Sequence, residues 1–319
     1  MNNLQDLSQF YNVMYHYVLN EKEEHYDGIF PVWEKEFERQ IKWLNSNFEI
    51  LNPILLSKDL TNTKIYKSSK RKCIITFDDG SKDQMRNAVR VLDKYSIKGC
   101  FYVLSDVLVD KVMPIAQLLH LVLCYFKPDK IIDHLYKYKL IDSRFDKDIN
   151  KIAIDTYYYE KDVERAYLKY IVNYYVDSSS KLLKECLVNL MSEFFTEQEM
   201  TEYWFMSIDE LKSIQKNGHM IGNHGRIHRP YESMSYDELK DDIETSHNKL
   251  TSIFDIKIDS YAHPFGGDKA VKNRYAISIL EKLGYKTCFN EDERIDESAI
   301  AIFSLPRFDA YSLPEYKDS

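Results

Sequence analysis

The chain has 319 residues, of which 44% are hydrophobic and 29% charged, and it carries a formal net charge of −8. That composition is ordinary for a soluble globular protein with a sizeable core. The acidic balance argues against a nucleic-acid partner, whose phosphates call for clustered cations. The one basic run, Lys67, Lys70, Arg71 and Lys72, precedes a predicted strand and reads as a solvated loop. Cys73, Cys100, Cys124, Cys186 and Cys288 form no CxxC pair; their odd number fits a reducing compartment. The N-terminus lacks the basic and apolar regions of a signal peptide, and the apolar stretch 112–126 is broken by Pro114, Gln117 and His120. The expectation is a cytoplasmic protein without a transmembrane segment.

Along the chain, residues 30–44 have the spacing of an amphipathic helix, with Phe37, Ile41 and Leu44 on one side. A β–α–β unit follows over 73–104. It has an apolar strand at 73–77, a helix opened by Ser81 with Gln84 as a capping box, a stop at Gly99 and a strand at 100–104. Residues 105–204 change texture: rich in Tyr, Leu, Lys and Asp, without glycine, they read as a mostly helical insertion or lid. Tyr157, Tyr158 and Tyr159 stand out there as packing residues or as rings for sugar stacking. The β/α rhythm then returns. Capping boxes at Ser207/Glu210 and Ser235/Glu238 open helices, and strands are predicted at 219–222, 258–263, 285–289 and 301–305. A helix over 269–283 ends at Gly284. Alternating strands and helices predict a parallel sheet covered by helices and closed, or nearly closed, into a barrel.

Three segments carry chemistry. Asp78 and Asp79 follow a strand, where active sites of parallel β/α folds gather. One of the two can hold a metal while the other stays free as a base, although Asp-Asp-Gly by itself also reads as an Asx-type turn. His224 and His228, four residues apart, follow another strand. Two such histidines converge on a metal in a tight turn, or stand as unrelated surface residues; with Asp79 they make the two-histidine, one-carboxylate set of many catalytic zinc sites. Pro264-Phe265-Gly266 is an ordinary loop or a turn whose exposed N–H groups would stabilise an oxyanion.

Taken together and in this order, the segments resemble the polysaccharide deacetylase family, the NodB-homology group. Ile75-Thr76-Phe77, Gly218 to Gly222 and the entry Met14-Tyr15-His16-Tyr17-Val18 add to the likeness. It covers 73–104 and 205 to about 310 well, 12–72 loosely, and 105–204 not at all. The resemblance implies a distorted (β/α) barrel with a large, mostly helical insertion. It divides the chain into an N-terminal strand and helix packed on the barrel (1–72), the barrel (73–104 and 205–319) and the insertion (105–204). It also implies a metal-dependent hydrolase that removes the N-acetyl group of a sugar in glycan biosynthesis, with zinc as the default cofactor. Asp79, His224 and His228 would hold the metal, Asp78 would act as general base, and the N–H near Phe265 would join the oxyanion hole.

The chain departs from the family pattern. Gly225 stands where many members carry Ser or Thr, and Ala262-His263 where many carry an Arg. The late Leu-x-His segment that supplies the general acid in many members is absent, since no histidine follows His263. His263 and His16 are each a candidate acid or a hydrogen-bonded structural histidine, and Arg307 is a candidate to replace the arginine and orient Asp78, or to form a surface or structural salt bridge. Two other readings stand beside the first: hydrolysis of a non-sugar amide or imide on the same scaffold, and a catalytically inactive carbohydrate-binding protein.

Overall fold

The computed structural model describes residues 11–21, 29–54, 70–157, 159–177, 180–266, 273–291, 303–311, 313 and 316. In chain order the strands are β1 (Val13–Tyr15), β2 (Val18–Leu19), β3 (Val32–Trp33), β4 (Glu49–Ile50), β5 (Lys72–Cys73), β6 (Ile75–Phe77), β7 (Cys100–Val103), β8 (Met220–Asn223), β9 (Ser260–Ala262), β10 (Thr287–Phe289) and β11 (Phe308–Asp309). Seven of them form one sheet in the order β10-β9-β8-β7-β6-β1-β11, parallel throughout. Strands β1, β6, β7, β8, β9 and β10 are buried along their whole length, as expected of a parallel sheet covered on both faces. Leu305 bridges in parallel to Phe289 of β10, and three residues later Phe308 pairs with Val13 of β1. One segment therefore touches both ends of the sheet, which curls into the expected distorted barrel.

Helix α1 (Glu34–Asn47) starts later than expected because Val32–Trp33 pairs with β2. It lays fully buried Phe37, Ile41 and Leu44 on the barrel, with Phe37 edge-on to Tyr15 at 4.8 Å. A π-helical turn, Gln84–Val89, runs into α2 (Arg90–Lys94). Residues 105–204 hold α3 (Ser105–Val109), α4 (Ile115–Tyr125), α5 (Pro128–Lys137), α6 (Lys147–Thr156), α7 (Val163–Tyr170), α8 (Lys181–Met191) and α9 (Glu197–Trp204). These helices have a core of their own, built on residues such as Leu118, Val122, Leu135, Leu168 and Leu187. Returning to the barrel, α10 (Ile208–Lys216) and α11 (Tyr236–Phe254) open with the capping boxes expected at Ser207/Glu210 and Ser235/Glu238, and α12 (Arg274–Leu283) closes on Gly284 at φ +79°. No helix among the described residues is long and apolar enough to cross a membrane.

Four expectations need correction. Ser81 does not cap a helix: it bridges antiparallel to Phe205, and the Gln84 amide donates to the carbonyls of Asp78 and His16 instead. The last strand is Phe308–Asp309 rather than 301–305, since only the Leu305 end of that stretch pairs with β10 and 301–302 lie outside the described residues. The N-terminal strand does not pack onto the barrel from outside; β1 is an interior strand of the sheet, between β6 and β11. Lys72 is fully buried, its ammonium 2.6 Å from Glu49, so it is not part of a solvated run; Lys67 lies outside the described residues.

Candidate metal centre and catalytic cleft

The carboxyl ends of β1, β6, β8 and β9 bring the motif residues into one cluster. The Asp78 amide donates to the Tyr15 carbonyl (2.9 Å), which extends the β6–β1 ladder by one residue. Asp79 and Gly80 then both turn left-handed (φ +72° and +74°), so the chain reverses and the two adjacent carboxylates diverge. For Asp79 that conformation costs on the order of 1 kcal/mol, and strain of this kind concentrates at functional sites.

Asp79 Oδ1 lies 3.5 Å from His224 Nε2 and 3.6 Å from His228 Nε2. Asp79 Oδ1 and His224 Nε2 are buried and have no hydrogen-bond partner. Buried polar atoms are normally satisfied, so two orphans facing each other call for a missing third party. Two tetrahedral ligands about 2.1 Å from one cation stand about 3.4 Å apart, which is close to the spacing seen. The His224 Nδ1 sits 2.8 Å from the Ala262 carbonyl; donating there, it leaves Nε2 unprotonated toward the cluster. Burial opposes charge on Asp79, but His228 and His224 outweigh it and hold the carboxyl well below the usual range. Burial holds His228 down to about 4 despite Asp79. Burial opposes charge on His224 as well, but Asp78 and Asp79 outweigh it and raise its pKa above the ordinary value. Two imidazoles beside an ionised aspartate are the donor set a zinc-like cation requires, and a cation bound there would displace the His224 proton.

Asp78 faces a different partner. Arg307, with both side chains fully buried, forms two parallel bonds to it, Nη1 to Oδ1 at 2.8 Å and Nη2 to Oδ2 at 2.7 Å. The guanidinium is fixed in turn by the Asn290 carbonyl (2.6 Å) and the Thr76 hydroxyl (3.2 Å). Burial pushes the Asp78 carboxyl up; Arg307, His224 and His16 outweigh it, and the net shift is downward.

His16 and Glu291 also reach this spot, each with a ligand-type atom within 4.8 Å of the Asp78 carboxylate and of the other. Burial opposes charging of His16, yet Asp79, Asp78 and Glu291 raise its pKa above the ordinary value. His263 behaves differently. Its ring is fully buried, with Nε2 2.9 Å from the Phe303 carbonyl and Nδ1 3.1 Å from the Tyr231 hydroxyl. Both nitrogens are thus engaged, and burial lowers the pKa to about 4. This is the setting of a hydrogen-bonded structural histidine rather than of a proton donor. Phe265 takes a left-handed φ of +50° and sets its ring, tilted by 54°, with its centroid 4.6 Å from that of His228.

The loop between the histidines is built around Gly225. Asn223 accepts the Gly225 amide (2.8 Å) and donates to Ser246 and Tyr285. Gly225 sits at φ +84°, and a Cβ there would meet Asp242 Oδ2 at 2.7 Å. Asp242, from α11, accepts the Arg226 amide at 3.3 Å. A side-chain oxygen therefore occupies the space beside residue 225, so a larger residue there would be strained and would have to displace the Asp242 carboxylate. Asp242 and Glu291 were not read from the sequence. Glu291 follows a predicted strand and was findable on that ground; Asp242 lies mid-helix without a local signal.

A cavity of about 200 Å³ opens beside the cluster, between the histidine loop (His228, Arg229), the loop after β9 (Phe265) and the insertion (Met113, Asn173, Lys184).

Comparison with known proteins places this geometry. A family model described as polysaccharide deacetylase matches residues 66–123 and 175–288. The Bacillus subtilis (strain 168) protein YxkH, named as a polysaccharide deacetylase, is 40% identical over 73 residues, which is 23% of this chain and 25% of YxkH. The chain thus aligns with about a quarter of that relative's length. Among solved structures, the Streptococcus pyogenes deacetylase PplD in complex with acetate superposes with a TM-score of 0.57 at 16% identity, covering 94% of this chain and 91% of that one. A de-N-acetylase from Aggregatibacter actinomycetemcomitans superposes at 0.55 and 14%, covering 97% and 98%. At these identities the structural likeness speaks for the fold.

Proposed function

This chain belongs to the polysaccharide deacetylase family, and from that membership we propose that it is a metal-dependent hydrolase removing an N-acetyl group from a sugar. The observation that carries the reading is the convergence of Asp79, His224 and His228, with unpartnered buried ligand atoms, beside an Asp78 that Arg307 keeps ionised. Asp79, His224 and His228 would hold the metal. A divalent cation there, zinc by its donor set, supplies Lewis acidity toward the acetyl carbonyl and the attacking water.

The protein's own groups do the rest. Asp78, ionised and immobilised by its two bonds to Arg307, takes the proton of the attacking water as general base. The Phe265 amide, in a left-handed turn whose side chain lies against His228, would donate to the oxygen that gains charge as the carbonyl becomes tetrahedral. His16, held toward its protonated form by the surrounding carboxylates, delivers a proton to the leaving amine. His263 positions the β9 loop through Phe303 and Tyr231.

The test is to purify the protein without added metal, quantify bound metal, and measure acetate release from N-acetylglucosamine oligomers, beside His224→Ala and Asp79→Ala. About one equivalent of metal and acetate release in the wild type, both lost in the variants, is expected. No metal uptake even after zinc is supplied would remove the hydrolase mechanism. Metal uptake without acetate release from any sugar would shift the substrate to a non-sugar amide.

A further inference from the structure

The cavity of about 200 Å³ lies on one flank of the cluster. Asp79, His224 and His228 form one group of converging ligand atoms, and His16, Asp78 and Glu291 form a second. Among the described residues, the cavity is lined by His228 of the first group and by none of the second. The reacting carbonyl carries two substituents, the amine and the acyl chain. The amine faces His16, its proton donor in the proposed function. The acyl chain therefore points away from His16, toward the flank where His228 and Phe265 line the cavity.

The walls say what fits there. The insertion lines the cavity with the apolar run 112–116, which leads into α4, and the barrel lines it with Ile227, Pro230 and Phe265. A sugar ring against such walls would leave hydroxyl groups unpaired, at a cost in free energy. The polar lining residues are engaged elsewhere: the Asn173 amide donates to the Tyr157 hydroxyl (2.9 Å), and the Ser180 hydroxyl accepts from the Leu183 amide (3.3 Å). Cations line the cavity too, but each has an acidic partner. Lys184 pairs with Glu197, Arg229 Nη1 is 3.1 Å from Glu238, and Lys181, almost wholly exposed, is 3.7 Å from Glu185. Arg229 Nε is buried without a hydrogen-bond partner, which offers a donor rather than a free charge. An anion therefore gains little in this space, and an uncharged apolar group gains most.

An acetyl group would put a single methyl into the cavity and leave most of its lining without contacts. An apolar cavity of about 150 Å³ takes up a six-carbon ring, so about 200 Å³ has room for a straight chain of roughly that many carbons. Resting on the proposed function, we infer that the cavity receives the acyl group of the scissile amide, and that this protein hydrolyses N-acyl groups longer than acetyl, up to roughly six carbons, from an amino sugar. Water adds its oxygen to the carbonyl carbon and loses a proton to Asp78, the C–N bond breaks, the amine departs with a proton from His16, and the chain leaves as a carboxylate.

The test is amine release from β-1,4-linked glucosamine tetramers carrying N-acetyl, N-propionyl, N-butyryl or N-hexanoyl groups, with metal-loaded wild type and the cavity-filling variant Ala116→Phe. Ile115→Trp, at a half-buried position of the same wall, carries the reading if Ala116→Phe does not fold. Binding of the same tetramers to metal-free protein is measured by calorimetry, where no turnover intervenes. The inference expects kcat/KM to rise roughly fourfold for each added methylene, the factor that burying one such group is worth. A filling variant should lose roughly tenfold or more on the hexanoyl substrate while moving the acetyl substrate less than about twofold. Turnover that is best with acetyl or ignores chain length would overturn the acyl cavity and leave the deacetylase reading intact, as would filling variants that match wild type on every chain. Binding that tightens with chain length and weakens on filling, without hydrolysis of any amide, would keep the cavity and overturn the hydrolase reading. Neither binding nor turnover would overturn both.

Discussion

Replacing Arg307 by Met isolates the buried pair that holds Asp78. The substitution keeps much of the side chain's volume but removes two charge-assisted bonds to Asp78 and the donor to the Asn290 carbonyl. Asp78 is then a fully buried carboxylate without its counter-charge, a situation that costs about 3–5 kcal/mol. The sign with pH follows from the shifts. In the wild type the folded pKa of Asp78 is depressed. The pair's contribution is therefore present above the unfolded aspartate value and is lost as pH falls through the lower folded one. Without Arg307 the upward pull of burial, already the largest single influence, meets less opposition and the folded pKa rises, so the variant should lose stability as pH increases through the carboxylate range. Urea denaturation of metal-free protein between pH 4 and 8 reads this directly. In activity, the acidic limb of kcat/KM should move up by about a unit or more, because the base must first lose a more tightly held proton. Arg307→Met combined with Asp78→Asn should recover most of the stability and none of the activity, since the unpaired charge is gone but so is the base. A loss below about 1 kcal/mol together with an unmoved acidic limb would refute the account of the pair.

Two further outcomes are expected. Gly225→Ser should weaken metal binding and destabilise by about 1–3 kcal/mol, since it combines φ +84° with a contact 2.7 Å from Asp242; adding Asp242→Ala should return part of the metal affinity, measured by competition with a chromogenic chelator, and no return would show that the contact is not the cause. His16→Ala should lower kcat by about 100-fold or more and flatten the basic limb of its pH profile, whereas His263→Ala should act chiefly on thermal stability; the reverse pattern would exchange the two roles.

What could be read from the sequence was what is local. Ser207/Glu210 and Ser235/Glu238 carry their helix starts within four residues, and both boxes form as written. Asp79, His224 and His228 were grouped because each follows a strand, and parallel strands bring their carboxyl ends together. The capping pattern failed at Ser81 because two distant carbonyl groups, of His16 and Asp78, compete for the Gln84 side chain. The place of β1 was hidden because its partners, Phe308 and Ile75, lie far along the chain. The role of Asp242 was hidden because a helical carboxylate looks solvated until the glycine opposite it is placed. The divergence of Asp78 and Asp79 depends on a left-handed turn that Asp-Asp-Gly permits but does not dictate.

The pairing of β1 with β11 also sets the order of events during synthesis. Asn12 donates to the carbonyl of Pro306, 294 positions away, and Phe308 reaches back to Asn12. A nascent chain has made every metal-site residue by His228, yet the cation that neutralises Asp78 arrives only with Arg307. Until then β1 is paired on its β6 side alone and Asp78 lacks its counter-charge, so the sheet of an incomplete chain on the ribosome is not closed. Contacts of such long range fold slowly, and until β11 arrives β1 presents one open sheet edge, a template for pairing with another chain.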